Sequence, residues 1–272
     1  SYNGQIFISK GSQIHHFEAE TYAGQQLGGQ VADGGYRCAV NNCPAGLMLW
    51  GPSKNDLPAG GNNAVFRMKT GGQETNSPVA TIDVIDGNGN GRVLASRVLY
   101  NEDFECGAPG GYRTMVLPFH NDGRSSLQFR VHFHNRADIT VDKITVGEFG
   151  MSMSGSAKVL GASSQISGFM QTESGEVKAL EMKAVGDLTL PGGLDLAQGS
   201  AKLCYDRGVT TVAIDARLEL PLVGEMGIDG DLQHKDGQTS YSLRSNATLL
   251  NLFNGIVSFD GDLLLSKGGS EV

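Results

Sequence analysis

The densest sets of metal-ligating side chains in the sequence are His15-His16 and His132-Phe133-His134. His132 and His134 lie two positions apart in an alternating run, which puts both on one face of a strand, where they could give a transition metal two of the three or more ligands it needs. No third ligand can be named, so the pair is read as part of the polar face of an exposed sheet. The acid pairs Glu102/Asp103 and Asp229/Asp231 suggest a glycosidase couple, but that chemistry needs carboxyl groups held ~5 to 5.5 Å apart in a cleft, and no recognised scaffold supplies one. Asp122-Gly123-Arg124 and Asp229-Gly230-Asp231 read as turns. Asp86, Asn88, Asn90 and Gly91 match the start of a calcium-binding EF-hand loop, but its last position is Arg97 instead of a bidentate carboxylate. A hairpin turn is the better reading of Asp86–Gly91. No GxSxG elbow, HExxH, phosphate loop, dinucleotide fingerprint or CxxC pair occurs, and the chain is read as non-catalytic.

The elements that would position these groups are strands. The 272 residues include 39 Gly but only 8 Pro, a balance that fits many tight turns between short strands rather than low-complexity linker. Alternation marks strands at Ala64–Lys69, Ala80–Ile85, Val93–Tyr100, Thr114–Phe119, Leu127–His134 and Ile139–Val146. Further runs follow at Glu176–Ala184, Ser200–Tyr205, Val209–Leu220, Thr239–Leu250 and Gly255–Leu265. A Gly-Asp-Leu triplet recurs at Gly186, Gly230 and Gly261, and is read as turn plus strand at unequal spacing. The fold class is all-β. Of the 19 aromatic residues 14 precede residue 150, as do 6 of the 8 prolines, so a boundary is placed between Val146 and Met153. Residues 1–149 read as a β-sandwich. Residues 150–272 read as a β-rich spacer or assembly domain of extended antiparallel strands, one face of which needs cover from chain beyond Val272 or from another subunit.

A net charge of -8 without any Lys/Arg cluster argues against a nucleic-acid reader. No stretch approaches the ~18 consecutive apolar residues of a spanning helix, so no membrane span is expected. Cys38 and Cys43 are too far apart for a CxxC motif and lack the second pair of a zinc site, which leaves a small disulfide-closed loop as the expectation. Cys106 and Cys204 could pair with each other, bond elsewhere or stay free. Asn246-Ala247-Thr248 is a glycosylation acceptor. Together these features place the protein outside the cell or on its surface.

Phe17-Glu18-Ala19-Glu20, Trp50-Gly51-Pro52 leading to Asp56-Leu57-Pro58, Ala64–Lys69 and Val141-Asp142-Lys143-Ile144-Thr145-Val146 occur in that order. This series resembles the jelly-roll carbohydrate-binding modules of families six and thirty-five over roughly residues 14–147. The resemblance implies a structural calcium held by Glu18, Glu20 and Asp142. Alternate positions on one strand would put both glutamates on one face, and Ca²⁺ takes several hard oxygens. It also implies that a sugar stacks on Tyr112, with the Tyr36 loop as the opposite wall. Trp50 is read equally as a second platform or as a half-buried strand residue, and Asn135, in the loop before the last strand, as a hydrogen-bonding partner. Thr140 stands where the family often has Asn two residues before the late Asp.

The leading functional expectation is a non-catalytic extracellular module that binds a polysaccharide or glycoprotein glycan. The alternatives are a structural surface or filament protein, assembling with itself or another chain through exposed strands, and an accessory region of a glycan-active enzyme.

Overall fold

The structure is a computed structural model that describes residues 2–10, 14–21, 24–25, 28–51, 53–71, 76–88, 91–105, 110–147, 149–159, 162–174, 176–190, 194–220, 224–235, 238–247 and 262–267. Among the described residues every regular element is a strand apart from two single-turn 3₁₀ segments, Ala19–Thr21 and Asn101–Phe104. The protein is all-β.

Two compact units share the chain: one comprises Phe7–Met151 with Gln171–Val177, the other Ser1–Ile6, Ser152–Met170 and Lys178–Val272. The first unit is built on two antiparallel sheets facing one core. One sheet runs Arg113–Asn121, Gly60–Thr70, Ile139–Val146, Gly35–Cys38 and Gln30–Ala32, with His15–Glu18 also paired to Ile139–Val146; the other runs Gly24–Gln25, Gly46–Trp50, Leu127–Phe133, Ala80–Asp86 and Arg92–Leu99.

Leu127–Phe133 shows why this sequence makes a sandwich strand. Leu127, Phe129, Val131 and Phe133 alternate into the core, while Gln128, Arg130 and His132 stay partly exposed, the period of two that pleating imposes. Phe66 and Met68 do the same from Gly60–Thr70 in the opposite sheet, joining Phe129 and Phe133 in one buried cluster. Fully burying side chains of this size contributes roughly 1.5–3 kcal/mol each.

Two local departures from regularity shape one corner of the sandwich. Ala32 and Gly35 pair across a two-residue loop, with Asp33 and Gly34 at φ 56 and 70, the positive angles of a type I′ hairpin that an Asp-Gly pair adopts readily. In Ile139–Val146 the register against Gly60–Thr70 shifts between Val141 and Lys143, leaving Asp142 as the extra residue. Such a bulge re-aims the side chain that it inserts.

The second unit contributes to a nine-stranded antiparallel sheet in the order Tyr2–Lys10, Phe149–Val159, Ala162–Glu173, Glu176–Leu190, Leu194–Asp206, Val209–Leu220, Gly224–Lys235, Gln238–Ala247 and Asp262–Lys267. Asp229-Gly230-Asp231, read from sequence as a turn, lies inside Gly224–Lys235 and pairs on both sides. Asn246 likewise lies within a strand, opposite Gly227 and Asp262. Most of the expected strand Gly255–Leu265 falls outside the described residues, as does Cys106.

Candidate functional site

Charged and aromatic groups converge on Tyr112, just before Arg113–Asn121. The Tyr112 hydroxyl donates to the Asp33 carbonyl at 2.6 Å, which fastens the ring to the Ala32–Gly35 hairpin. Lys69 Nζ lies 4.9 Å and the Arg67 guanidinium 5.4 Å from the ring centroid. Both cations come from Gly60–Thr70, where alternation that buries Phe66 and Met68 turns Arg67 and Lys69 outward. The bulge aims Asp142 at Arg67, with Nε to Oδ2 at 2.8 Å, and Lys69 reaches the Asp33 carboxylate at 3.4 Å. Burial first, then the negative charges of Asp142 and Asp33, push the Tyr112 hydroxyl up to about 12. Glu20 also acts electrostatically on Tyr112, and its Oε2 is buried without a hydrogen-bond partner. A half-buried ring thus sits among three carboxylates and two cations.

The expected site residues distribute unequally around this centre. Tyr112, Glu20 and Asp142 come together. Glu18 does not lie with Glu20 on one strand face: the strand ends at Glu18, Ala19–Thr21 turns as a 3₁₀ segment, and Thr21 Oγ1 donates to the Glu18 carbonyl at 3.0 Å. Glu18 is exposed and stands opposite Lys143 in register. Tyr36 offers no wall, because its ring is only 4% exposed and belongs to the core cluster; the part of that loop touching Tyr112 is the Asp33–Gly35 turn. Trp50 lies on the other sheet, half-buried and paired with Gly24. Asn135, at φ 55, uses its side-chain oxygen to accept from the Asn41 N–H at 3.2 Å.

Cys38 and Cys43 are free, buried thiols rather than a disulfide. Their loop is closed without one, since the Cys43 N–H donates to the Ala39 carbonyl at 3.1 Å and the Val40 N–H to Asp138 at 2.8 Å. Burial, with the adjoining Cys43 thiol, pushes Cys38 up, which leaves it inert. In native protein neither thiol reacts with a maleimide, whereas both label in denaturant without reductant; peptide mapping that found them unlabelled until reduction would restore the disulfide.

His132 and His134 are satisfied within the sandwich. His132 Nε2 contacts Asp83 at 3.2 Å and His134 Nε2 contacts Thr81 at 2.9 Å. Asp103 is likewise committed, accepting from the Tyr100 N–H at 2.8 Å and from Arg97 at 2.5 Å. Asp86 accepts from the Asn88 N–H at 2.9 Å inside the hairpin between Ala80–Asp86 and Arg92–Leu99, as its turn chemistry predicts. Among the described residues no group of three or more His, Cys, Asp or Glu is gathered tightly enough to hold a metal.

The chain matches no family model and no curated protein sequence. Its functional reading therefore rests on the residues themselves.

For calcium, the donor chemistry at Tyr112 fits in one respect: Glu20 offers a buried, unpartnered carboxylate oxygen, and the charges of both Glu20 and Asp142 act on Tyr112. Asp142 is already engaged by Arg67, so a bound cation would share or displace that guanidinium. The sequence reading missed Asp33, Arg67 and Lys69. The Asp-Gly pair at 33–34 and the alternation of Arg67 and Lys69 about Met68 were the available signals.

Proposed function

We propose that the sandwich unit is a non-catalytic carbohydrate-binding module of an extracellular or cell-surface protein, with jelly-roll connectivity and a glycan seated against Tyr112. The observation that carries this reading is the Tyr112 cluster: an aromatic ring flanked by Asp33 and Lys69, whose side chains are 53% and 21% exposed. Sugar recognition needs that combination, an apolar ring face for pyranose C–H groups and charged groups for the hydroxyls. Calcium belongs to the proposal as a structural ion at Glu20 and Asp142, with Glu18 nearby in sequence. Its chemistry there would be to neutralise carboxylates and stiffen the turn, while Arg67 and Lys69 hold the ring and Asp33.

A glycan array probed with the whole chain in calcium tests the reading. Selective binding is expected, with a loss of at least about tenfold in Tyr112→Ala, since each 1.4 kcal/mol is a factor of ten. Calcium is expected to raise the melting temperature by mass action, and Asp142→Ala to remove that gain. An array silent throughout would overturn sugar binding and favour the structural-protein reading. A melting curve indifferent to chelator would remove the metal.

A further inference from the structure

The sheet face beneath Tyr112 carries cations that are already matched. Tyr36, Cys38, Phe66 and Met68 turn into the core, so Arg37, Arg67 and Lys69 lie on the opposite face of their sheet. Register extends that face in two rows, one through Arg37, Thr140 and Lys69, the other through Glu18, Lys143, Arg67 and Thr114. Each of the four cations on these rows is held by a carboxylate: Arg37 by Asp138 at 2.6 Å, Arg67 by Asp142 at 2.8 Å, Lys69 by Asp33 at 3.4 Å and Lys143 by Glu173 at 3.6 Å. Glu18 and Glu20 are carboxylates beyond those four; Glu18 stands on a row itself, and Glu20 acts electrostatically on Tyr112. An acidic ligand would therefore have to break an existing ion pair and would meet a surplus of negative charge.

One of the four pairs is open to a ligand. Asp33 exposes 53% of its side chain, against 12% for Asp138, 22% for Asp142 and 25% for Glu173. Its 3.4 Å separation from Lys69 exceeds the ~2.7–3.2 Å of an N–H···O hydrogen bond, so neither partner saturates the other. Arg37 also lies 3.9 Å from Asp33, but is taken by Asp138. The pair borders the ring: the Asp33 carbonyl accepts from Tyr112 Oη at 2.6 Å, and Lys69 Nζ lies 4.9 Å from the ring centroid.

We propose that Asp33 and Lys69 select uncharged sugars that present two adjacent hydroxyls side by side, and that Asp33 turns acidic sugars, uronates and sulfated units alike, away from the Tyr112 site. One hydroxyl donates to the Asp33 carboxylate, a charge-assisted bond, and its neighbour accepts from Lys69. Hydroxyls that are cis or both equatorial on adjacent ring carbons meet that demand; trans-diaxial hydroxyls point apart and do not. This selectivity presupposes that Tyr112 is the glycan platform. It leaves the calcium carboxylates aside, because Asp33 is neither Glu20 nor Asp142 and faces the ligand whether or not an ion is bound.

A panel of neutral hexose and pentose oligosaccharides beside their uronate and sulfated counterparts, probed with the whole chain in calcium, tests the selectivity. The wild type is expected to hold the neutral members at least about tenfold more tightly than their acidic counterparts, since like charges a few ångströms apart repel that strongly near a protein surface. Asp33→Asn should narrow this ratio by at least about tenfold, because it removes the repelling charge and leaves Lys69 unpaired to attract an acid. Asparagine tolerates the φ of 56 at this position, and the Tyr112 bond is to backbone, so the variant should melt like the wild type. Lys69→Gln should weaken neutral binding without gaining acidic binding. Deoxy analogues of the tightest neutral binder that lack either adjacent hydroxyl should bind about tenfold more weakly, as expected for a lost hydrogen bond to a charged group. The proposal is overturned if the wild type holds uronates as tightly as neutral sugars, if Asp33→Asn leaves the ratio unchanged, or if the deoxy analogues bind like their parent. In each of those cases binding that is still lost in Tyr112→Ala leaves the glycan platform standing, whereas a wild type silent across the whole panel overturns both.

Discussion

Asp83→Ala is expected to destabilise the sandwich by ~3 kcal/mol, the range found when one partner of a buried ion pair is removed. Asp83 has a side chain 6% exposed and receives two hydrogen bonds from Arg130, Nε to Oδ1 at 2.7 Å and Nη2 to Oδ2 at 2.6 Å, with His132 at 3.2 Å. Bidentate pairing of this kind ties Ala80–Asp86 to Leu127–Phe133 at their centre. Burial alone would raise the carboxyl; hydrogen bonds from His132 and Arg130, with their charges, outweigh it and hold Asp83 below the usual carboxylate range. The unfolded chain therefore takes up this proton near pH ~3.9 and the folded chain only at lower pH. In that interval the unfolded state binds more protons, so the stabilisation is present above pH ~4 and is lost as pH falls through the folded value. Urea midpoints at pH 7, 5 and 3.5 should converge for wild type and Asp83→Asn as acid is added. A constant gap across that series would mean that the charge of Asp83 is not what stabilises the strand pair.

That ion pair also explains why the histidines were hard to place from sequence. His132 and His134 share a strand face as their spacing requires, but what they meet is decided by Asp83 and Thr81, about fifty residues earlier. The alternation of Leu127–Phe133 was legible because each inward position is large and apolar. Gln30–Ala32 and Gly35–Cys38 were not, since three or four residues carry too little period to register. Gly224–Lys235 was misread at Asp229-Gly230-Asp231 because Asp-Gly is a strong local turn signal. Pairing on both sides, with Val209–Leu220 and Gln238–Ala247, overrides that preference.

The Tyr112 site was legible in its parts and not as an assembly. Tyr112, Glu20 and Asp142 were each singled out, yet their convergence depends on a bulge at Asp142 and a hairpin at Asp33-Gly34, neither of which strand alternation reveals. Glu18 and Tyr36 were misplaced for one shared reason. Alternation was extended through a segment that turns at Ala19, and an aromatic in a loop-like stretch was taken as surface when it fills the core.

The same hairpin yields a second large effect, in which two adjacent glycines are needed for different reasons. Gly34 has φ +70 and open space where a Cβ would go, so Gly34→Ala costs only the left-handed backbone, ~1–2 kcal/mol. A Cβ on Gly35 would fall inside the van der Waals shell of the Val141 carbonyl oxygen, 2.9 Å from the Val141 carbonyl carbon and 3.0 Å from Tyr112 Oη. The obstacle is backbone in the middle of Ile139–Val146, which no rotamer change relieves. Gly35→Ala should therefore cost ~3 kcal/mol, the upper end for overpacking, and lower the melting temperature by ~6–12 °C at ~2–4 °C per kcal/mol. Displacing the hairpin also breaks the Tyr112 to Asp33 hydrogen bond. Absorbance titration should then show the Tyr112 hydroxyl moving down from about 12 toward its ordinary value, as the burial that raised it is lost. If Gly35→Ala melts like Gly34→Ala and leaves that titration in place, the hairpin does not press against Val141, and Tyr112 is held by Arg67 and Lys69 alone.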